Sequence, residues 1–110
     1  MPMTKAEIME RINIIEFRKK AIIDFLSGKQ DLYWTIDELA KEFEFAGVRG
    51  IIVENCTDEE KALEKPQTPF IYFDATVEID EYLDRVRSIP FYKLNPYYLA
   101  SPSKKKWLGR

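Results

Sequence analysis

Three times along this chain a threonine stands three residues ahead of a glutamate: Thr4 and Glu7, Thr35 and Glu38, Thr57 and Glu60. Each pair is a capping box: the threonine oxygen accepts a bond from a free amide of the first helical turn, and the glutamate reaches back to the cap amide. Three helix starts in one short chain argue against an all-β fold. They also divide the sequence into segments that can be read one at a time.

The first box opens a helix that runs to about Ser27 and stops at Gly28. On it, Ile8, Ile12, Ile15, Ile22 and Leu26 share one face by helical spacing, and Ile14, Phe17, Ala21 and Phe25 form a second, offset face. A helix with two apolar faces needs two neighbours, one in its own core and one supplied by a partner. The second box is reinforced by Trp34 and Leu39 at hydrophobic-staple positions, and its helix ends before Gly47. The β-branched run Val48–Glu54 reads as a buried strand. The third box then starts a helix that must end by Pro66.

Phe70–Phe73 reads as a second strand, residues 76–88 as a helix, and Phe91–Leu94 as a third strand. The link from Asn55 to Pro69 is long enough for a parallel crossover. The expected fold is therefore α/β: a small two- or three-stranded, mostly parallel sheet packed by about four helices. An α+β fold is the alternative. At 110 residues there is room for one core, placed at residues 1–88. Residues 89–110 read as an extended C-terminal arm, because Pro90, Pro96 and Pro102 forbid a continuous helix.

Charge is segregated along the chain. Residues 31–84 carry fifteen acidic and four basic groups, whereas residues 85–110 carry seven basic groups and no acidic one. Fifteen aromatics exceed what so small a core requires, so some are expected at an interface. The arm supplies several: Phe91, Tyr92, Tyr97, Tyr98 and Leu99, then Trp107 in the basic end. With Phe17 and Phe25 of the first helix, they form the expected partner-binding set. Lys104, Lys105, Lys106 and Arg110 are the candidates for gripping nucleic-acid phosphates.

Catalytic equipment is sparse. The chain has no histidine and one cysteine, Cys56, which excludes the usual triads, Cys/His zinc sites and internal disulfides. Its four glycines form no phosphate-binding loop, and no cofactor is expected. Glu54 and Asp74, at the ends of successive expected strands and with Asp58 or Glu78 nearby, could hold a magnesium ion. That arrangement is similar to the metal-binding core of toprim nucleases and primases. It departs from that core at Asn55, where the family has glycine, and at Asp74-Ala75-Thr76, which lacks the paired aspartate.

Thr35–Phe43 resembles the opening of a helix-turn-helix, but the following Glu44–Gly50 lacks, Arg49 apart, the polar and basic residues a recognition helix needs. The reading in first place is a small, non-catalytic protein-binding module of adaptor, inhibitor or regulatory type. It would be cytoplasmic, oligomeric or bound to a protein partner, without a membrane. Its size and acidity suit phage-encoded or immunity proteins. A nucleic-acid-associated protein using the basic end, and a magnesium-dependent phosphoryl-transfer enzyme, are the alternatives.

Overall fold

A computed structural model describes residues 2–100 of the chain. In order, it has α1 (Lys5–Ser27), α2 (Ile36–Lys41), α3 (Val48–Glu54), β1 (Cys56–Asp58), a 3-10 helix (Glu59–Glu64), β2 (Phe70–Asp80), β3 (Arg85–Leu94) and α4 (Pro96–Ala100). The first two capping boxes close as expected. Thr4 Oγ1 accepts from the Glu7 amide at 3.1 Å, and the Thr4 amide donates to Glu7 at 2.9 Å. The matching Thr35 and Glu38 bonds are 3.2 and 3.0 Å. The third box does not form. Thr57 is buried in β1, and Asp58 caps instead, accepting from the Lys61 amide at 2.9 Å.

Larger expectations are corrected too. Val48–Glu54 is a helix, not a strand. Val48, Ile51 and Ile52 recur at helical spacing, and all three enter the core. Gly47 makes the entry possible, since its φ of 92° lies in the left-handed region that favours glycine. Burial of that one face outweighs the weak strand preference of a β-branched run.

The sheet is the second correction, since it is mixed and mainly antiparallel. β1 runs parallel to β2 over Cys56–Asp58 only. β2 and β3 pair antiparallel from Phe70 opposite Leu94 to Asp80 opposite Arg85, with a bulge between Thr76 and Glu78. The helix expected over residues 76–88 is thus the far half of a long β-ribbon. Asp80 turns the chain by accepting from the Leu83 amide at 3.1 Å, and Asp84 adopts a φ of 50° that aspartate tolerates. The boundary drawn at Ser88 falls inside β3, so Ile89–Leu94 is part of the sheet, docked on its own domain.

The core joins Ile22 and Leu26 of α1, Leu39 of α2, Ile52 of α3, Phe70 of β2 and Leu94 of β3. Trp34 bridges to the edge of β3 through two backbone bonds with Tyr92, 2.9 and 2.6 Å long. Asn95, wholly buried, closes the bottom of the domain. Its amide nitrogen donates to the carbonyls of Ala62, Lys65 and Thr68 at 3.3, 3.2 and 3.0 Å. Its Oδ1 accepts from the Tyr97 amide at 2.9 Å, starting α4. The radius of gyration is 16.5 Å, against about 13 Å for a compact domain of this size. Two elements account for the excess: the first half of α1 and the far half of the ribbon.

Candidate functional site

The two apolar faces of α1 meet different fates along its length. On the first face, Ile22 and Leu26 are buried, whereas Ile8, Ile12 and Ile15 lie on the same stripe and are exposed. Lys19, ion-paired with Glu16 at 3.2 Å, marks the border between the covered and bare parts. On the second face, the Phe25 ring packs edge-on against Trp34 and Phe43, with centroids 5.5 and 5.3 Å away. Phe43 stacks on Phe45 at 5.2 Å, and the Arg18 guanidinium lies 5.4 Å over Phe45. Arg18 is held there by donating to the Ala46 carbonyl at 3.1 Å. Phe25 therefore belongs to the domain's own packing.

One turn beyond this ladder the cover stops. Phe17 is 73% exposed, and with Ile14 and Phe45 it lines an apolar groove of about 500 Å³ whose rim carries Glu10 and Arg18. A covered helix end continuing into a bare apolar one is the most extensive unpaired feature of α1.

The ribbon carries a second apolar surface that the sequence reading missed. Val77, Ile79, Leu83 and Val86 are exposed, and Tyr82 at the tip is 94% exposed. The alternation of Val77 and Ile79 with acidic residues was the available signal; it is the period-two pattern of a strand.

The remaining expected partner residues are dispersed. Tyr92 is buried, Phe91 is half-buried opposite Phe73, Tyr97 is exposed, and Tyr98 packs against the core. Leu99 lies in α4, but its side chain is outside the described set, as are Lys104, Lys105, Lys106, Trp107 and Arg110.

The proposed magnesium ligands are not at strand ends. Glu54 is the last residue of α3, and Asp74 lies within β2. Among the described residues no group of three or more His, Cys, Asp or Glu could hold a metal ion. Asp58, Glu59, Glu60 and Asp74 do line an open groove of about 370 Å³. There the Tyr33 hydroxyl donates to Glu59 at 2.7 Å, and that bond pushes the phenol pKa up. Burial likewise raises the Cys56 thiol, which donates to the Val53 carbonyl at 3.3 Å. A protonated, bonded thiol is a poor nucleophile.

With α3 a helix, α2 and α3 are joined by a turn and followed by a ribbon, but their outer side offers little to phosphate. Exposed α3 residues are Arg49, Gly50, Val53 and Glu54, and Arg49 already lies 3.7 Å from Asp37. Across the neighbouring groove, Arg87 pairs with Glu78 at 2.9 Å. Among the described residues, no helix is long and apolar enough to cross a membrane. Compared with family models, curated proteins and solved structures, the chain matches none.

Proposed function

We propose that the chain is a small protein-binding module of adaptor or regulatory type whose contact element is the first half of α1. A single observation carries this reading. The helix runs for 23 residues, yet only its last turns are buried, and the bare turns display Ile8, Met9, Ile12, Ile14, Ile15 and Phe17. Large apolar side chains on a regular helix are the means by which helices dock into partner proteins. The phosphoryl-transfer reading loses its pair of strand-end acids, since Glu54 ends α3 and Asp74 lies within β2, and the lysines offered for a nucleic acid lie outside the described residues.

The test is capture with the full chain and with Ile12→Asp, Phe17→Asp, using both host extract and a differently tagged second copy as prey. Both positions are exposed, so the variant should keep its helical circular dichroism and melting temperature. A stoichiometric protein recovered by the parent and lost by the variant is the expected result. Recovery of no protein at all, second copy included, would refute the reading.

A further inference from the structure

The edge of β2 beyond β1 is free to take a further strand, and we infer that it receives an extended peptide of alternating basic and apolar residues from a partner protein. This surface is separate from α1 and goes beyond the reading above. The Phe70 amide donates to the Asn55 carbonyl at 3.2 Å, so Phe70 turns its amide and carbonyl toward β1. Alternation along a strand turns those of Tyr72, Asp74 and Thr76 the same way. β1 ends at Asp58, opposite Tyr72, and the chain leaves the sheet at Glu59 for the 3-10 helix. The amides and carbonyls of Asp74 and Thr76 therefore face no strand among the described residues. An extended chain laid in the line of β1 would bond these groups, which is how peptides add to sheet edges. The bulge between Thr76 and Glu78 ends the regular edge, so the fitting segment is short. The opposite edge of the sheet is less receptive. Tyr92 of β3 exchanges two backbone bonds with Trp34, and Pro90, the next residue turned outward, has no N–H to give.

Side chains around the open edge set the chemistry of the peptide. The groove lined by Asp58, Glu59, Glu60, Tyr72, Phe73 and Asp74 lies where β1 leaves the sheet. Phe73 and Asp74 are consecutive and point to opposite faces, so a groove lined by both straddles the edge itself. Four of its lining residues are acidic and none is basic. Asp58 and Glu59 are engaged, with the Lys61 amide at 2.9 Å and the Tyr33 hydroxyl at 2.7 Å. Glu60 and Asp74 are exposed and form no ion pair among the described residues. On an added strand, side chains of one face would lie beside Asp74, where opposite charge is favoured. Those of the other face would lie beside Phe73, itself 45% exposed. Basic and apolar residues in alternation satisfy both faces. Two β2 edges from two copies would instead oppose acid to acid.

NMR titration and amide hydrogen exchange of the full chain with the synthetic peptide Lys-Val-Lys-Val-Lys-Val test this. The peptide should shift the resonances of residues 72–76 and slow exchange at the Asp74 and Thr76 amides, and added salt should weaken it. Glu60→Lys with Asp74→Lys should weaken binding by roughly tenfold or more. The same peptide methylated on every backbone nitrogen keeps its charge but loses its donors, and it should not bind. The Ile12→Asp, Phe17→Asp variant should bind as the parent does. No shifts at millimolar peptide would overturn the inference, as would equal binding of the methylated peptide. Asp74 and Thr76 amides already protected in the chain alone would overturn it too, by showing the edge occupied from within or by another copy. Loss of binding in the α1 variant would place the peptide on α1 and overturn it likewise.

Discussion

Asn95 is the polar residue on which the lower half of the domain depends, and replacing it by alanine tests that directly. The parent side chain makes three donated bonds of 3.0–3.3 Å and accepts one of 2.9 Å. An amide has only two hydrogens, so the three donations share them and count as about two full bonds. Three lost bonds at ~1 kcal/mol each cost about 3 kcal/mol, and a carbonyl left buried without a donor adds to that. For a domain of this size, that lowers the melting temperature by on the order of 10–20 °C. Asn95→Asp gives a sharper reading. It keeps the oxygen that bonds the Tyr97 amide, but turns a carboxylate oxygen toward three carbonyls. Desolvation and those dipoles raise its folded pKa above the unfolded value of about 3.9. Stability conferred by the protonated form is then fully present below pH ~4 and lost as pH rises through the folded pKa. Thermal melts monitored by circular dichroism from acid to neutral pH would show the aspartate variant recovering toward the parent in acid, and the alanine variant showing no such recovery. An alanine variant that melts within a degree or two of the parent would refute the reasoning.

Other positions give expectations that differ in sign. Gly50→Ala should stabilise by about 0.5–1 kcal/mol in urea titrations, because Gly50 is exposed in α3 and a Cβ there meets nothing within 4 Å. Gly47→Ala should destabilise by about 1 kcal/mol although its Cβ would make only an ordinary contact with Ile51 Cδ1 at 4.0 Å, since its positive φ is the obstacle. The Trp34 indole nitrogen is buried without an acceptor among the described residues, so Trp34→Phe should cost under about 1 kcal/mol, whereas Trp34→Ala costs about 3–5 kcal/mol. Equal losses would reveal a bonded indole. Cys56 should react with iodoacetamide more slowly than a free cysteine peptide at pH 8, because burial raises its pKa. By the same shift its contribution to stability is present below the unfolded thiol pKa and lost as pH rises through the folded one. The parent should therefore lose ground to Cys56→Ala in alkaline melts.

Local hydrogen-bond chemistry was legible in the sequence, and the elements it specifies are where they were expected. The boxes at Thr4 and Thr35 need only four consecutive residues, and both close. The third failed because Asp58, next in line, offers a better-placed carboxylate once β1 draws Thr57 into the sheet. Val48–Glu54 misled because β-branching suggests a strand, while the spacing of Val48, Ile51 and Ile52 fits a helix. A run of seven residues supports either reading until it is known which face the core covers.

The far half of the ribbon misled for a different reason, and that reason bears on function. Periodicity reports structure only because burial sorts side chains by face. In residues 76–88 Val77, Ile79, Leu83 and Val86 are exposed among the described residues and join no described core. The same holds on α1, where Ile8, Ile12 and Ile15 continue the core stripe of Ile22 and Leu26 past the point where the body ends. A stripe that keeps its pattern without a core to enforce it needs another surface to account for it. On α1 the pattern persists intact for about three further turns beyond Lys19, as expected where a regular element is read by a partner. On the ribbon, opposite-charge pairs such as Glu78 with Arg87 alternate with apolar pairs such as Ile79 with Val86. Consecutive pairs point to opposite faces of a sheet, so the Ile79–Val86 pair lies on one face of the ribbon and the Glu78–Arg87 pair on the other, and the charged face stays in water whatever covers the apolar one.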